Sequence, residues 1–271
     1  MHLDLGKLDG PVLLFGGPYS NLQATNSLFK KAKKRFIPSS HWICTGDVVG
    51  YCADPRETIR AIRKSGASVV AGNCEKQIGL GAEDCGCGFE TGSTCDLLSA
   101  GWYAHASKKV TSDDRAWMIS LPDVISFVHQ GARYAVVHGG MTDMSRFIWP
   151  NDPEEVFERE FNALRDKVGP IDHVIAGHCG IPFMRETRFG RWINAGVIGM
   201  PPHDGRQSTR FAVLDGGEVI FHHLQYDASM AAAKMAGAGL TQGYEKSLLS
   251  GYWPSEDVLP PSLRAPSLAS G

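Results

Sequence analysis

The sequence has no apolar run approaching the ~20 residues that a membrane-crossing helix needs. It has no excess of either charge: 27 Lys and Arg stand against 29 Asp and Glu, for a net charge of −2. Nonspecific nucleic-acid binding needs a basic face, so neither that activity nor a membrane partner is expected. The first ten residues carry Asp4 and Asp9 and lack an apolar h-region, which predicts no secretory leader and a cytoplasmic location. Internal repeats are also absent. What remains is an ordinary globular composition, 43% apolar and 21% charged over 271 residues, with enough chain for a sizeable core. The seven cysteines are odd in number, so complete internal pairing is excluded. Without a secretion signal a disulfide framework is not expected, which leaves metal binding, redox chemistry or burial.

Short apolar runs recur, each ending at glycine or a polar residue. Val12–Phe15 leads into Gly16-Gly17, and His41–Cys44 leads through Thr45 into Gly46-Asp47. Ser68–Ala71 leads into Gly72-Asn73, Tyr134–Val137 into His138-Gly139-Gly140, and His173–Ala176 into Gly177-His178. Their length and β-branched content predict buried strands. Helices are predicted between them over Asn21–Lys34, Pro55–Lys64 and Pro153–Lys167. Alternation of this kind gives an α/β layered fold. Arg210–Asp215 and Glu218–Leu224 around Gly216-Gly217 predict a hairpin, and Ser229–Gly239 a helix. Pro260–Gly271 is predicted to be a loosely held tail. The domain reading is one domain over residues 1–228, followed by a helical extension and tail over 229–271.

The chemistry lies where the strands end. Asp47, Asn73, His138 and His178 each follow an apolar strand with glycine beside them. Sites in open α/β sheets form outside the carboxyl ends of strands, so these four can converge. A carboxylate, an amide oxygen and two imidazoles suit Zn, Mn, Fe or Ni. Each residue singly is more often structural; the ordered set is specific.

That ordered set resembles the calcineurin-like metallophosphoesterase superfamily, in its compact bacterial branch, from Val12 to Asp227. The segments that carry the resemblance are Gly46-Asp47-Val48-Val49-Gly50-Tyr51, Gly72-Asn73-Cys74-Glu75, His138-Gly139-Gly140, Gly177-His178 and Asn194–Pro201. It implies a four-layer sandwich of two mixed β-sheets flanked by helices, with a two-metal site at one edge. It also implies that Asp47 bridges the two metals and that Asn73, His138 and His178 complete the second. The family's opening Asp-x-His falls on Gly17 and Tyr19, and the last histidine of its Gly-His-x-His falls on Gly180. The ligands private to the first metal are therefore missing, while those of the second are all present.

The resulting expectation is a phosphomonoesterase or phosphodiesterase, acting on a small phosphate ester or nucleotide. It would use a divalent transition metal, one per chain, with a second or a cysteine-bound metal as the alternative. Tyr19 either fills the lost metal's space or serves as donor or ligand. Cys74 stands where many members carry an acid histidine and is read, with Tyr19, as catalytic. Asn21 and Asn73 are read as substrate-binding, with a turn role as the alternative for Asn21. Glu75, Arg146, Trp149, His203 and Arg206 are weaker candidates near the site, read first as solvated surface, and His222 and His223 are read as structural. Cys85, Cys87 and Cys95 form a C-x-C-x7-C cluster in a Gly-rich stretch, Gly79–Gly101, read as reduced thiols near the site mouth or as a metal cluster completed by His105. Two other classes stay open: a non-catalytic binding module, with Gly101–Tyr103 and Gly251–Trp253 as contact patches, and a cysteine-based redox or metal-binding protein.

Overall fold

A computed structural model of the chain describes residues 1–90 and 92–265. In chain order the elements are β1 (His2–Lys7), β2 (Val12–Phe15), α1 (Leu22–Lys34), β3 (Trp42–Cys44), α2 (Pro55–Ser65), β4 (Ser68–Val69), α3 (Asn73–Leu80), α4 (Thr94–Lys109), α5 (Ser112–Ser120), β5 (Val124–His129) and β6 (Ala132–Val136). They continue with α6 (Glu154–Val168), β7 (His173–Ala176), β8 (Phe183–Thr187), β9 (Gly190–Asn194), β10 (Thr209–Asp215), β11 (Glu218–Leu224), α7 (Ala228–Gly237) and α8 (Tyr244–Ser250).

Two mixed sheets stack face to face. One has the order β1-β5-β6-β7-β9-β8, the other β11-β10-β2-β3-β4. Both contain parallel and antiparallel pairs. Their facing sides bury Val12, Leu14, Ile43, Phe127, Val136 and Ile175 among others. The opposite face of the second sheet packs Leu13 and Phe15 against helical residues such as Leu28, Ile59 and Trp102. The opposite face of the first sheet packs Val174 and Trp192 against Phe157, Phe161 and Leu164 of α6. Side chains alternate between sheet faces, so inner strands such as β2, β3 and β7 feed two cores and read as continuous apolar runs. The layers are helix, sheet, sheet, helix, as the sequence predicts.

Helix ends follow local chemistry. Asn21 caps α1 by accepting from the Ala24 N–H at 3.0 Å. Pro55 opens α2, and Gly66 closes it in the left-handed conformation. Two expectations need correction. The stretch 79–101 is helical at both ends, because α3 runs through Leu80 and Ser93 caps α4 at Thr94; the loop proper is 81–93. The tail is held through Ala265: Leu259 is buried beside α6, Leu263 packs against the same cluster, and Arg264 Nε donates to Leu259 O at 3.0 Å. The rest of the predicted tail, 266–271, lies outside the described residues.

Candidate metal centre

The site forms where both sheets present the carboxyl ends of their strands. Asp47 follows β3, Asn73 opens α3 just beyond β4, His138 follows β6 and His178 follows β7. All four are buried. A backbone bridge from Gly16 to Val197 joins the two sheets at this edge. The turn after β3 is tight. Gly46 has φ +96°, and a Cβ there would lie 2.8 Å from His138 Nδ1 and 2.7 Å from the Gly72 nitrogen. Asp47 (φ +55°) and His178 (φ +59°) both occupy the left-handed region. That region is costly for a side-chain-bearing residue, and such strain concentrates at functional sites.

Two buried carboxylates hold this strained backbone. Glu75 accepts from the Asp47 and Val48 N–H groups at 2.8 Å each and from the Gly72 N–H at 3.0 Å. Burial first, then the Asp47 charge, pushes the Glu75 carboxyl up to about 7. Glu160 of α6 accepts from the Met141 N–H at 2.6 Å and the Thr142 N–H at 2.9 Å, fixing the loop after His138. Glu75 is thus a buried clamp rather than solvated surface. The Glu160 role is invisible in the sequence, since its partners lie 18 and 19 residues away.

The atoms facing one another at the centre can mostly only accept. His138 Nδ1 is 2.6 Å from Thr45 O, which assigns a proton to Nδ1. Its Nε2 faces Asn73 Oδ1 at 3.0 Å, His178 Nδ1 at 3.0 Å and Asp47 Oδ2 at 3.3 Å. Burial opposes charge on His138, but Asp47 beside it raises its pKa. Burial alone would lift the Asp47 carboxyl, but His138 holds it below the usual carboxylate range. Burial, reinforced by His138, lowers His178 to about 3, so this imidazole keeps a free lone pair at neutral pH. With the His178 proton on Nε2, the nitrogen that faces none of these atoms, at most one further proton, on His138, serves three acceptors. A cation satisfies all four atoms at once, so the donor set fits a metal. Among the described residues, Asp47, His138 and His178 are the one group of three His, Cys, Asp or Glu side chains whose ligand atoms lie within 4.8 Å of one another. His178 Nε2 is buried without a hydrogen-bond partner.

Gly17 and Gly180, which carry no side-chain ligand atom, are covered by neighbouring side chains. A Cβ on Gly17 (φ +42°) would lie 2.6 Å from Val197 Cγ1 and 2.7 Å from Tyr19 Cζ. The Tyr19 ring therefore lies over Gly17. A Cβ on Gly180 would lie 3.3 Å from Trp253 Cζ2. Tyr19 also packs edge-on against Tyr51 at 4.6 Å between centroids. Burial, and then the Asp47 charge, pushes its hydroxyl well above the usual phenol range. Trp253 is anchored by Nε1 donating to Pro201 O at 2.7 Å and by its backbone N–H donating to His203 Nδ1 at 2.8 Å. His203 in turn lies 2.7 Å from Glu256. It is a buried strut rather than an anion-binding group.

Other expectations are redirected. The Asn21 amide is used at both ends, its oxygen capping the helix and Nδ2 donating to Gly199 O at 3.0 Å, so it holds the turn. Asn73 Nδ2 donates to Cys85 O at 2.9 Å, so Asn73 presents its oxygen to the site and turns its nitrogen toward the loop. Cys74 is buried in the helix-side core beside Asn73 Nδ2 (3.6 Å). Burial first, then Asp47 and Glu75, pushes its thiol well above the usual range. Cys85 and Cys87 are bonded to each other, whereas the other five cysteines are free and buried. One residue apart in a loop, these two sulfurs meet without any wider disulfide framework. His105 lies 3.0 Å from Ala53 O and does not join them. Trp102 and Tyr103 are packing anchors, and Tyr252 is exposed. Trp149 is buried beside α6.

A mainly apolar cavity of about 60 Å³ opens on Asp47 and His178. Tyr19, Tyr51, Phe89, Phe147, Tyr244 and Trp253 are among its walls, and no Lys or Arg is. Phe147 lies over the His178 ring at 4.4 Å between centroids. No local signal marks Phe147 or Trp253, because both reach the site only through tertiary packing.

The fold and the site define a metallophosphoesterase-type protein, with strand-end ligands at the edge of a double-sheet sandwich. The profile of the calcineurin-like phosphoesterase family matches residues 2–219, and the chain belongs to that family. A hypothetical protein from Pyrococcus horikoshii has a similar structure, with TM-score 0.74, 20% identity, and 89% of this chain and 98% of that one covered. So has a metallophosphoesterase from Sphaerobacter thermophilus, with TM-score 0.67, 19% identity, and 90% and 100% covered. An uncharacterized protein from Methanocaldococcus jannaschii is 23% identical over 252 residues, spanning 86% of this chain and 95% of that one. Family membership carries metal-dependent phosphoester chemistry as its general activity. No helix among the described residues is long and apolar enough to cross a membrane.

Proposed function

We propose that this chain hydrolyses a small phosphomonoester, phosphodiester or nucleotide with a centre built for one divalent transition metal, Zn, Mn, Fe or Ni. Asp47, Asn73, His138 and His178 are the residues that would hold it. The observation that carries the reading is the pairing of four convergent acceptor atoms with an apolar plug. Tyr19 and Val197 occupy the space over Gly17, and Trp253 the space over Gly180. A bound divalent ion supplies Lewis acidity toward a phosphoryl oxygen. The chain's own residues do the rest. Glu75 and Glu160 hold the ligand-bearing loops, His178 stays neutral, and Tyr19 on the cavity wall remains a phenol able to donate to a phosphoryl oxygen. Phe147 and Trp253 exclude water, which strengthens every electrostatic contact inside.

In this reading residues 229–271 extend the phosphoesterase domain of 1–228, since Tyr244 and Trp253 wall its cavity. Five free thiols suit a reducing compartment, which supports the cytoplasm as the location.

The test is elemental analysis of chelator-free protein purified without oxygen, followed by a phosphatase and phosphodiesterase screen. About one metal per chain is expected, lost in Asp47→Asn together with activity. Two metals per chain overturn the single-ion centre. No stoichiometric metal, with no turnover of any ester, leaves a non-catalytic binding cleft on this fold.

A further inference from the structure

The pair Cys85–Cys87 is not used by the reading above, yet it sits against the centre. Asn73, whose Oδ1 faces the metal ligands, turns its other amide end toward this loop. Nδ2 donates to Cys85 O at 2.9 Å and lies 3.4 Å from Cys87 Sγ. Cys87 shares the walls of the cavity with Asp47 and His178. His178 is buried there with Nε2 unpartnered. The loop is docked rather than free. Ser145 Oγ donates to Gly86 O, and Phe89 stacks on Phe147 at 6.1 Å, which in turn covers His178. The pair is also the one disulfide beside five free buried thiols. Where most thiols are reduced, an isolated disulfide is typically redox-active rather than structural.

We propose that Cys85 and Cys87 form a thiol–disulfide switch on the metal centre. In the dithiol form Cys87 adds a thiolate to the oxygen and nitrogen ligand set, and in the disulfide form it is withdrawn. The inference rests on the metal-centre reading above. The chemistry balances with a dithiol as reductant. Its two thiols deliver two electrons and two protons to the Cys85–Cys87 bond, the S–S bond breaks, two cysteine thiols form, and the reductant leaves as its own disulfide. Cys87 then gives its remaining proton to solvent when its sulfur binds the ion. Oxidation by a disulfide-forming reagent reverses the sequence. The added ligand is soft, so the dithiol form favours Zn over Mn.

The experiment loads metal-stripped full-length protein with Co(II), once after reduction with a dithiol that is then removed, and once after oxidation with diamide. Near-ultraviolet absorbance reads sulfur-to-cobalt charge transfer, and elemental analysis reads stoichiometry. One Co(II) per chain is expected in both forms, with the charge-transfer band in the reduced form only. The band should be lost in Cys87→Ser and kept in Cys95→Ser. Competition with a chelator should show affinity at least about tenfold weaker in the oxidised form and in Cys87→Ser, the scale seen when groups supporting a metal site are removed. One Co(II) per chain without the band in reduced protein overturns the switch and leaves the metal centre standing. A band that survives in Cys87→Ser does the same. Failure of the unmutated reduced protein to bind Co(II) overturns the metal centre itself. Because the oxidised and reduced states are compared in the unmutated chain, misfolding of a variant cannot produce the result.

Discussion

Asp47 and His178 reach the centre from left-handed backbone conformations, and a single carboxylate, Glu75, ties down the turn that carries Asp47. Glu75→Ala leaves three buried N–H groups without their acceptor. An unsatisfied buried donor costs about 1–3 kcal/mol, so this variant should lose at least that in urea unfolding, and more metal than Glu75→Gln, which keeps an acceptor oxygen. Gly17 is equally constrained. Gly17→Ala combines a left-handed φ with a Cβ inside the Val197 and Tyr19 side chains, at an expected cost of roughly 2–4 kcal/mol. In a Tyr19→Ala background part of that penalty should disappear, giving a coupling of roughly 0.5–3 kcal/mol in a double-mutant cycle. Strict additivity would show that the Tyr19 ring is not what fills the Gly17 space.

At the scale of elements, α1 starts where β2 delivers the chain to the site, and Asn21 sets that start. Its oxygen caps the helix, and its nitrogen ties the helix to Gly199 in the loop after β9. Asn21→Ala removes both bonds. Loss of such a cap costs about 1–2 kcal/mol, which for a chain of this size lowers Tm by roughly 2–6 °C. Metal content should be unchanged, and so should KM for any ester the protein turns over, which separates a turn residue from a substrate-binding one. The loop 81–93 and the strap around Trp253 behave as covers. Each reaches the centre through aromatic contacts, Phe89 through Phe147 and Trp253 over Gly180. Trp253→Ala should cost roughly 2–3 kcal/mol by leaving a cavity, with metal stoichiometry again unchanged.

For the whole molecule, the centre joins two sheets, so an ion bound there stabilises the native state and not the unfolded chain. At free metal 100-fold above its Kd the gain is about 2.7 kcal/mol. Chelator treatment should therefore lower Tm by several degrees, with recovery on adding back Zn or Mn. A Tm indifferent to chelator and to added metal would remove the centre from any part in stability.

How much of this was legible in the sequence depended on the range of the interaction. The strands Val12–Phe15 and His173–Ala176 and the hairpin at Gly216-Gly217 rest on apolar runs and turn residues a few positions apart, and all stand as read. The convergence of Asp47, Asn73, His138 and His178 was also readable, because strand-end residues of a layered fold share an edge. β1, β8, β9, α4 and α5 were not picked out, since short, half-exposed or weakly amphipathic segments carry little periodic signal. The pairing of Cys85 with Cys87, the clamp of Glu160 on residues 141 and 142, and the placing of Trp253 over Gly180 join positions that no local pattern connects. The sequence by itself determined which ligand atoms the chain possesses, because residue identity decides what an atom can donate or accept. Only the tertiary structure decided what packs over Gly17 and Gly180 and which carboxylates hold the ligand-bearing loops, because close packing is settled by neighbours distant along the chain.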